Sequence, residues 1–128
     1  MSAPVADPAV WLVISNLPDE ATAQAVAREL IERRVAACVN VMAPCWSVYR
    51  WQGAVDAATE VPLVAKVAAA GYPALEAALR ALHPYEVPEI VAVPVAAGLP
   101  AYLAWVAAEG VPGSNGGEKD ANIRENDP

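Results

Sequence analysis

The feature that most constrains the fold is a pair of long strand-forming runs on either side of the dipeptide Gln52-Gly53. One run covers 37–51 and is rich in valine and aromatic residues, and the other returns through 54–67. Such runs are typical of β-strands, and a glycine between them favours a tight hairpin turn. Each arm has about 14 residues, whereas an ordinary strand has about 5–6. The sequence therefore predicts one unusually long hairpin.

Pro44 interrupts the first arm of this hairpin. Proline cannot donate a ladder hydrogen bond, so its position predicts a bulge or an edge that bends the strand without ending it. The outer half of so long a hairpin has nothing to pair with inside a small domain. Because an exposed apolar edge promotes aggregation unless another chain covers it, we expect the protein to self-associate.

The remaining periodicities complete an alternating order of strands and helices. Asp19 is a candidate N-cap for the first helix, and the bias of a residue before proline predicts that the second helix ends at His83. The predicted elements outside the hairpin are a strand at 10–15, helices at 19–34 and 73–82, a strand at 89–95 and a short closing helix at 100–106. The order β-α-β-β-α-β predicts an α+β, ferredoxin-like fold: an antiparallel sheet with helices on one face.

The length of 128 residues suits one domain. We assign 1–9 to an N-terminal extension and 10–109 to the ferredoxin-like domain. Residues 110–128 show no periodicity and too few apolar residues to offset the entropy of ordering them. This last segment is predicted to be a disordered tail.

Composition argues against several classes of function. A net charge of −7 with only 8 scattered Lys and Arg residues argues against binding to nucleic acid. No apolar run reaches the roughly 18 residues of a membrane span, and the first residues do not resemble a signal peptide, so a cytoplasmic location is expected. No phosphate-binding loop, nucleophile elbow or paired metal-ligand motif points to an enzyme.

Three segments occur in the same order as in the divalent-ion-tolerance (CutA) family, which the chain resembles from about residue 10 to 108. They are 18–23 (PDEATA), 49–53 (YRWQG) and 83–90 (HPYEVPEI). The resemblance implies a homotrimer in which long hairpins wrap around neighbouring subunits and the sheets face a central axis. It also implies binding of divalent cations, copper above all, near His83.

His83 is the only histidine and has carboxylates three and six residues on, at Glu86 and Glu89. These three residues are the candidate metal ligands, while the alternative is that His83 only caps the helix C-terminus. Ser15 and Leu82 stand where better-known copper-binding relatives have cysteine and histidine. Without those softer ligands, copper or another divalent cation is expected to bind only weakly.

Other side chains are candidates for a pocket or an interface. Tyr49, Trp51, Tyr85 and Trp105 are interpreted as lining clefts between subunits, with a core or interface position as the alternative. Lys66 interrupts an apolar strand and is predicted to pair with Glu89, because a lone buried ammonium is costly.

The two cysteines are expected to be reduced. Cys38, in an apolar run, is interpreted as a small buried hydrophobe, and Cys45, beside Pro44, as a candidate soft-metal or oxidation-sensitive thiol.

Two functions from different classes remain open on this sequence. The first is a trimeric metal-binding or metal-tolerance protein that acts by weak cation binding. The second is a trimeric scaffold or sensor that binds a small ligand or a protein partner in clefts between subunits.

Overall fold

Residues 9–110 are described by a computed structural model of the chain. The elements are β1 (Val10–Leu17), α1 (Glu20–Glu32), β2 (Cys38–Val41), β3 (Cys45–Trp51), β4 (Ala54–Ala68), a 3₁₀ turn (Ala69–Gly71), α2 (Tyr72–Leu82), β5 (Val91–Pro94) and α3 (Pro100–Glu109). The predicted extension at 1–9 and the predicted tail at 110–128 lie almost entirely outside the described residues. None of the helices within 9–110 is long and apolar enough to span a membrane.

The sheet has the strand order β2-β4-β1-β5, and β3 continues the pairing along the outer part of β4. All of these pairs are antiparallel, and the longest central pair runs from Val10 opposite Ala68 to Leu17 opposite Val61. Strands β4 and β1 are thus neighbours in the middle of the sheet, as the doubled β-α-β plan requires. The predicted ferredoxin-like fold is confirmed.

Helices α1 and α2 cover one face of this sheet. Alternate residues of β1 and β4 point to that face because side chains alternate along a strand. The buried set comprises Val13, Leu17, Val61, Leu63, Ala65 and Val67 from the strands, with Ala23, Val26, Leu30, Leu75 and Leu79 from the helices. The Thr22 N–H donates to the Asp19 carboxylate at 2.7 Å, which caps α1 as predicted and lowers the pKa of Asp19.

Helix α3 packs on the opposite face and covers only one end of it. Leu103 and Val106 of α3 are buried against Val10 of β1, and the Lys66 ammonium lies 5.7 Å from the centre of the Tyr102 ring. Side chains further along this face are apolar but only partly covered or exposed. We call the five residues Leu12, Ile14, Val64, Val91 and Val93 the open face.

The hairpin has the kink that Pro44 predicts. Val41 pairs with Leu63 and Cys45 pairs with Glu60. The chain thus advances four residues from β2 to β3 while β4 advances only three residues opposite them. The extra residue makes a bulge, and it reverses which side chains face each side of the sheet. At the tip, Gln52 and Gly53 have φ values of 49° and 82°, the left-handed backbone that a two-residue hairpin turn requires.

Candidate functional site

A cavity of about 730 Å³ lies where the outer hairpin meets the loop between α2 and β5. Its lining combines three aromatic side chains, Tyr49, Trp51 and Tyr85, with three carboxylates, Glu60, Glu86 and Glu89. Arg50 and Asn16 also line it. Five residues that the sequence singled out, the three aromatic ones with Glu86 and Glu89, therefore meet at one place.

The bulge at Pro44 explains how the hairpin contributes to this cavity. Because of the extra residue, Cys45 and Tyr49 share a side of the sheet with Glu60, to which Cys45 is paired. Without the bulge, the same alternation would direct Tyr49 to the side that α1 and α2 cover. The kink thus determines which aromatic residues of β3 reach the site.

The imidazole of His83 has both ring nitrogens engaged. Nε2 lies 2.8 Å from the backbone oxygen of Asn16, and the Tyr85 N–H donates to Nδ1 at 3.2 Å. A carbonyl oxygen can only accept, so Nε2 carries the proton and donates it. His83 as a whole is 7% exposed. A metal ion at Nδ1 would have to displace the Tyr85 N–H.

Burial lowers the pKa of His83, while the hydrogen bond to Asn16 and the nearby charge of Glu60 act in the opposite direction. Burial has the larger effect because the charged ring would lose its hydration. His83 is therefore a neutral imidazole at neutral pH. Its ring also contacts that of Tyr85, with centroids 4.8 Å apart.

Tyr85 connects the loop after α2 to the hairpin. Its hydroxyl donates to Glu60 Oε2 at 2.9 Å. Burial, followed by the bond to Glu60 and its charge, raises the pKa of Tyr85 to about 12. The phenol is consequently a permanent donor near neutral pH, and it fixes the Glu60 carboxylate at the cavity wall.

The predicted metal ligands do not form a ready-made metal centre. Glu89 Oε1 accepts a hydrogen bond from Asn16 Nδ2 at 3.1 Å, and Glu86 is exposed at the cavity. Within residues 9–110, no three His, Cys, Asp or Glu side chains are grouped closely enough to hold a metal ion. Metal binding by His83, Glu86 and Glu89 stays a prediction.

The predicted pair between Lys66 and Glu89 is wrong. Strand β1 lies between β4, which carries Lys66, and β5, which follows Glu89. Lys66 lies over the Tyr102 ring instead, and Glu89 bonds to Asn16. The pairing rested on both residues being on adjacent strands, and the sheet order separates them.

Three further candidates lie away from the cavity lining. Trp105 packs beside the α3 cluster, with its ring 5.7 Å from that of Tyr102. Cys38 is half-buried in β2 opposite Lys66, and Cys45 is exposed with Sγ 3.7 Å from the Ser47 hydroxyl. Both thiols are free.

The two positions that depart from the copper-binding pattern are core positions. Ser15 is completely buried on the helix-covered side of β1, and its hydroxyl has no hydrogen-bond partner within the described part of the chain. Leu82 packs against the main core. Neither side chain offers the thiolate or imidazole that would strengthen a copper site.

Sequence reasoning missed Glu60, Asn16 and Arg50. Glu60 follows from the hairpin register once the bulge is known, because it pairs with Cys45. Its contact with Tyr85 spans 25 residues, and the contact of Asn16 with His83 spans 67. No local pattern encodes such distant contacts. Arg50 was visible in the YRWQG segment, but nothing local indicated that it would face a cavity.

Comparison with known proteins gives consistent matches. The family model described as CutA1 divalent ion tolerance protein matches residues 11–109. A divalent-cation tolerance protein CutA from Thermus thermophilus is 44% identical over 95 residues, which is 74% of this chain and 92% of that relative. Protein CutA from Mus musculus is 43% identical over 89 residues, 70% of this chain, and the match spans only half of the mouse protein.

Solved structures show the same likeness. The structure of a divalent cation tolerance protein from Thermus thermophilus has a TM-score of 0.76 at 42% identity, and the match covers 78% of this chain and 97% of that one. A PII-like protein CutA from Nostoc has a TM-score of 0.74 at 36% identity, with 80% and 98% covered.

Proposed function

The chain belongs to the CutA1 family of divalent ion tolerance proteins, and from this membership we propose that it acts as a homotrimer that binds divalent cations weakly and carries out no catalysis. The observation that carries the proposal is that the HPYEVPEI segment brings Glu86 and Glu89 to one cavity, next to the neutral imidazole of His83. Neutral imidazole and carboxylate groups are the usual ligands of divalent ions in proteins.

The apolar surface of the single chain supports the trimer. In the outer hairpin, Trp46 is 73% exposed and Val55 is 67% exposed. The open face adds Val91 and Val93, both exposed, on the same sheet. Exposed apolar side chains and an uncovered strand edge usually mark an interface. Association of identical chains covers both, and the family resemblance implies three of them.

Weak binding follows from the contacts around His83. A cation at Nδ1 must replace the Tyr85 N–H, and a cation at Glu89 must compete with Asn16 Nδ2. Both replacements cost a hydrogen bond. The ligand set of one imidazole and carboxylates lacks a thiolate, so it holds copper less tightly than a site with soft ligands does.

Titration calorimetry of the untagged chain with copper, zinc and manganese tests this function. We expect modest affinity that weakens in both His83→Ala and Glu86→Gln. The matched control is Glu32→Gln, which removes a carboxylate from the exposed side of α1. If the parent binds no divalent cation, the proposal is wrong; unchanged binding in both variants would place the cation elsewhere, with the free thiols Cys38 and Cys45 next to be tested.

A second function is favoured by the cavity itself. A volume of about 730 Å³ suits a small organic molecule better than a single ion, since ligand pockets commonly measure about 300–1,000 Å³. A scaffold or sensor that binds such a ligand is therefore the competing candidate. Saturable binding of a small molecule in the presence of a chelator would favour it over cation tolerance.

A further inference from the structure

The cavity pairs aromatic surface with an excess of negative charge. Glu60, Glu86 and Glu89 contribute three carboxylates, against the single guanidinium of Arg50. His83 is not part of the lining, and both of its ring nitrogens are engaged by the Asn16 oxygen and the Tyr85 N–H. A ligand at this site therefore meets a negative potential.

The aromatic members give the cavity a second property. Tyr49 and Trp51 follow each other on one side of β3, and Tyr85 faces the same space from the loop after α2. The faces of aromatic rings attract cations, and rings arranged around a space with nearby carboxylates are the usual recognition site for ammonium groups. Val87 adds apolar surface that methyl or methylene groups can contact.

We propose that this cavity binds a small organic cation, with an ammonium group held between the aromatic rings and the carboxylates. This inference deepens the small-ligand candidate function, on which it rests, and does not depend on divalent-cation binding. An organic cation needs no close grouping of metal ligands, which the described residues do not hold, and the space admits a molecule of several atoms.

The contact between Tyr85 and Glu60 keeps the site in one arrangement. The Tyr85 hydroxyl binds only Oε2 of Glu60, at 2.9 Å, and this holds the carboxylate without neutralising it. A charge held in place loses less entropy on binding than one on a free side chain. Glu60 is thus the positioned anion, and Glu86 is an exposed one.

The test compares two probes of the same shape. Choline carries a quaternary ammonium group, and 3,3-dimethylbutan-1-ol replaces its nitrogen by carbon. Calorimetry on the untagged full chain, in phosphate buffer with a chelator, excludes metal ions and competing amine buffers. We expect saturable binding of choline and binding of the alcohol at least about tenfold weaker, because only the charge differs.

Three isosteric neutralisations locate the site. Glu60→Gln and Glu86→Gln should each weaken choline binding by about fivefold to thirtyfold, whereas Glu32→Gln should leave it unchanged. In Glu60→Gln the glutamine oxygen can still accept the hydrogen bond from Tyr85, so the variant is expected to fold. Each variant is first checked for the same mass in solution and the same circular dichroism as the parent.

Three results would overturn the inference. If choline and the alcohol bind equally, the cavity does not discriminate ligands by charge, and only the small-ligand function remains. If neither probe binds, or if Glu32→Gln weakens binding as much as the other two changes, the cavity is not an organic-cation site. None of these results alters the outcome of the divalent-cation titration.

Discussion

The inner and outer halves of β4 belong to one strand but have different surroundings. Residues 61–68 lie between β1 and β2, and Val61, Leu63, Ala65 and Val67 are at most 2% exposed. Residues 54–60 pair only with β3 within the described chain, and Val55 there is 67% exposed. The inner half is therefore stabilised by its own domain, whereas the outer half exposes apolar side chains that no part of the described chain covers.

The comparison shows that strand formation and strand stabilisation have separate causes. The two halves of β4 form one continuous strand, and the turn at Gln52 and Gly53 joins its outer end to β3. An isolated two-stranded ribbon is only marginally stable in water. Changes in the inner half are therefore expected to alter folding, while changes in the outer half are expected to alter assembly.

The largest effect is expected from Leu63→Ala, in the inner half. Leu63 is completely buried, and truncating such a side chain leaves a cavity that costs about 2–5 kcal/mol. Urea denaturation at fixed protein concentration measures this loss. Leu99→Ala is the matched control, because Leu99 is 71% exposed and should change stability by less than about 0.5 kcal/mol. Equal losses in the two variants would contradict the assignment of the core.

A smaller effect, confined to assembly, is expected from Trp51→Lys near the hairpin tip. A charge placed where an aromatic anchor packs should weaken association by on the order of 2 kcal/mol, about thirtyfold in dissociation constant. Sedimentation velocity over a range of concentrations detects the shift to smaller species. Ala77→Lys adds the same charge on the exposed side of α2 and should leave the assembly intact. An unaltered assembly in Trp51→Lys would remove the hairpin tip from the interface.

Ser15→Ala is expected to stabilise the inner half slightly. The Ser15 hydroxyl is buried opposite Leu63 without a hydrogen-bond partner in the described part of the chain, so removing it should raise the free energy of unfolding by roughly 1 kcal/mol. Thermal unfolding measures the change. Ser47→Ala, in the outer hairpin, should change little because Ser47 is not fully buried. A clear loss of stability in Ser15→Ala would show that the hydroxyl has a partner after all.

The smallest effect concerns pH. Because burial lowers the pKa of His83 in the folded state, the unfolded chain binds the proton first as pH falls. The contribution of His83 to stability is therefore complete above the unfolded pKa of about 6.5 and is lost as pH falls through the lower folded pKa. Urea midpoints at pH 7 and 5 should show the decrease, and His83→Gln should reduce it, since this chain has one histidine. Greater stability at pH 5 than at pH 7 would mean that folding raises the pKa of His83, which would refute the burial argument.

Local sequence was sufficient for the type and order of the elements, but not for their ends. The helix predicted at 19–34 ends at Glu32, because Arg34 adopts a left-handed backbone with φ of 58°. The strand predicted at 89–95 is shorter and covers Val91–Pro94. Periodicity identifies the buried side of an element, whereas its ends depend on single backbone angles that periodicity does not encode.

The site was predicted only in part, because only some of its residues are close together in the sequence. Tyr85, Glu86 and Glu89 lie in one short segment, so the sequence alone could indicate that they act together. The partners Glu60 and Asn16 come from other strands, and their positions depend on the bulge and on the strand order. The same strand order separates Lys66 from Glu89, which is why that predicted pair was wrong.

The central claim is that the outer half of the hairpin is stabilised by other copies of the chain. Multi-angle light scattering of the untagged full chain at micromolar concentration tests it most directly. The account predicts a mass of about three chains, each of 13.3 kDa, with circular dichroism that reports the full strand content. A folded species with the mass of one chain and the same strand content would contradict the account, because 54–60 would then be ordered without any partner copy.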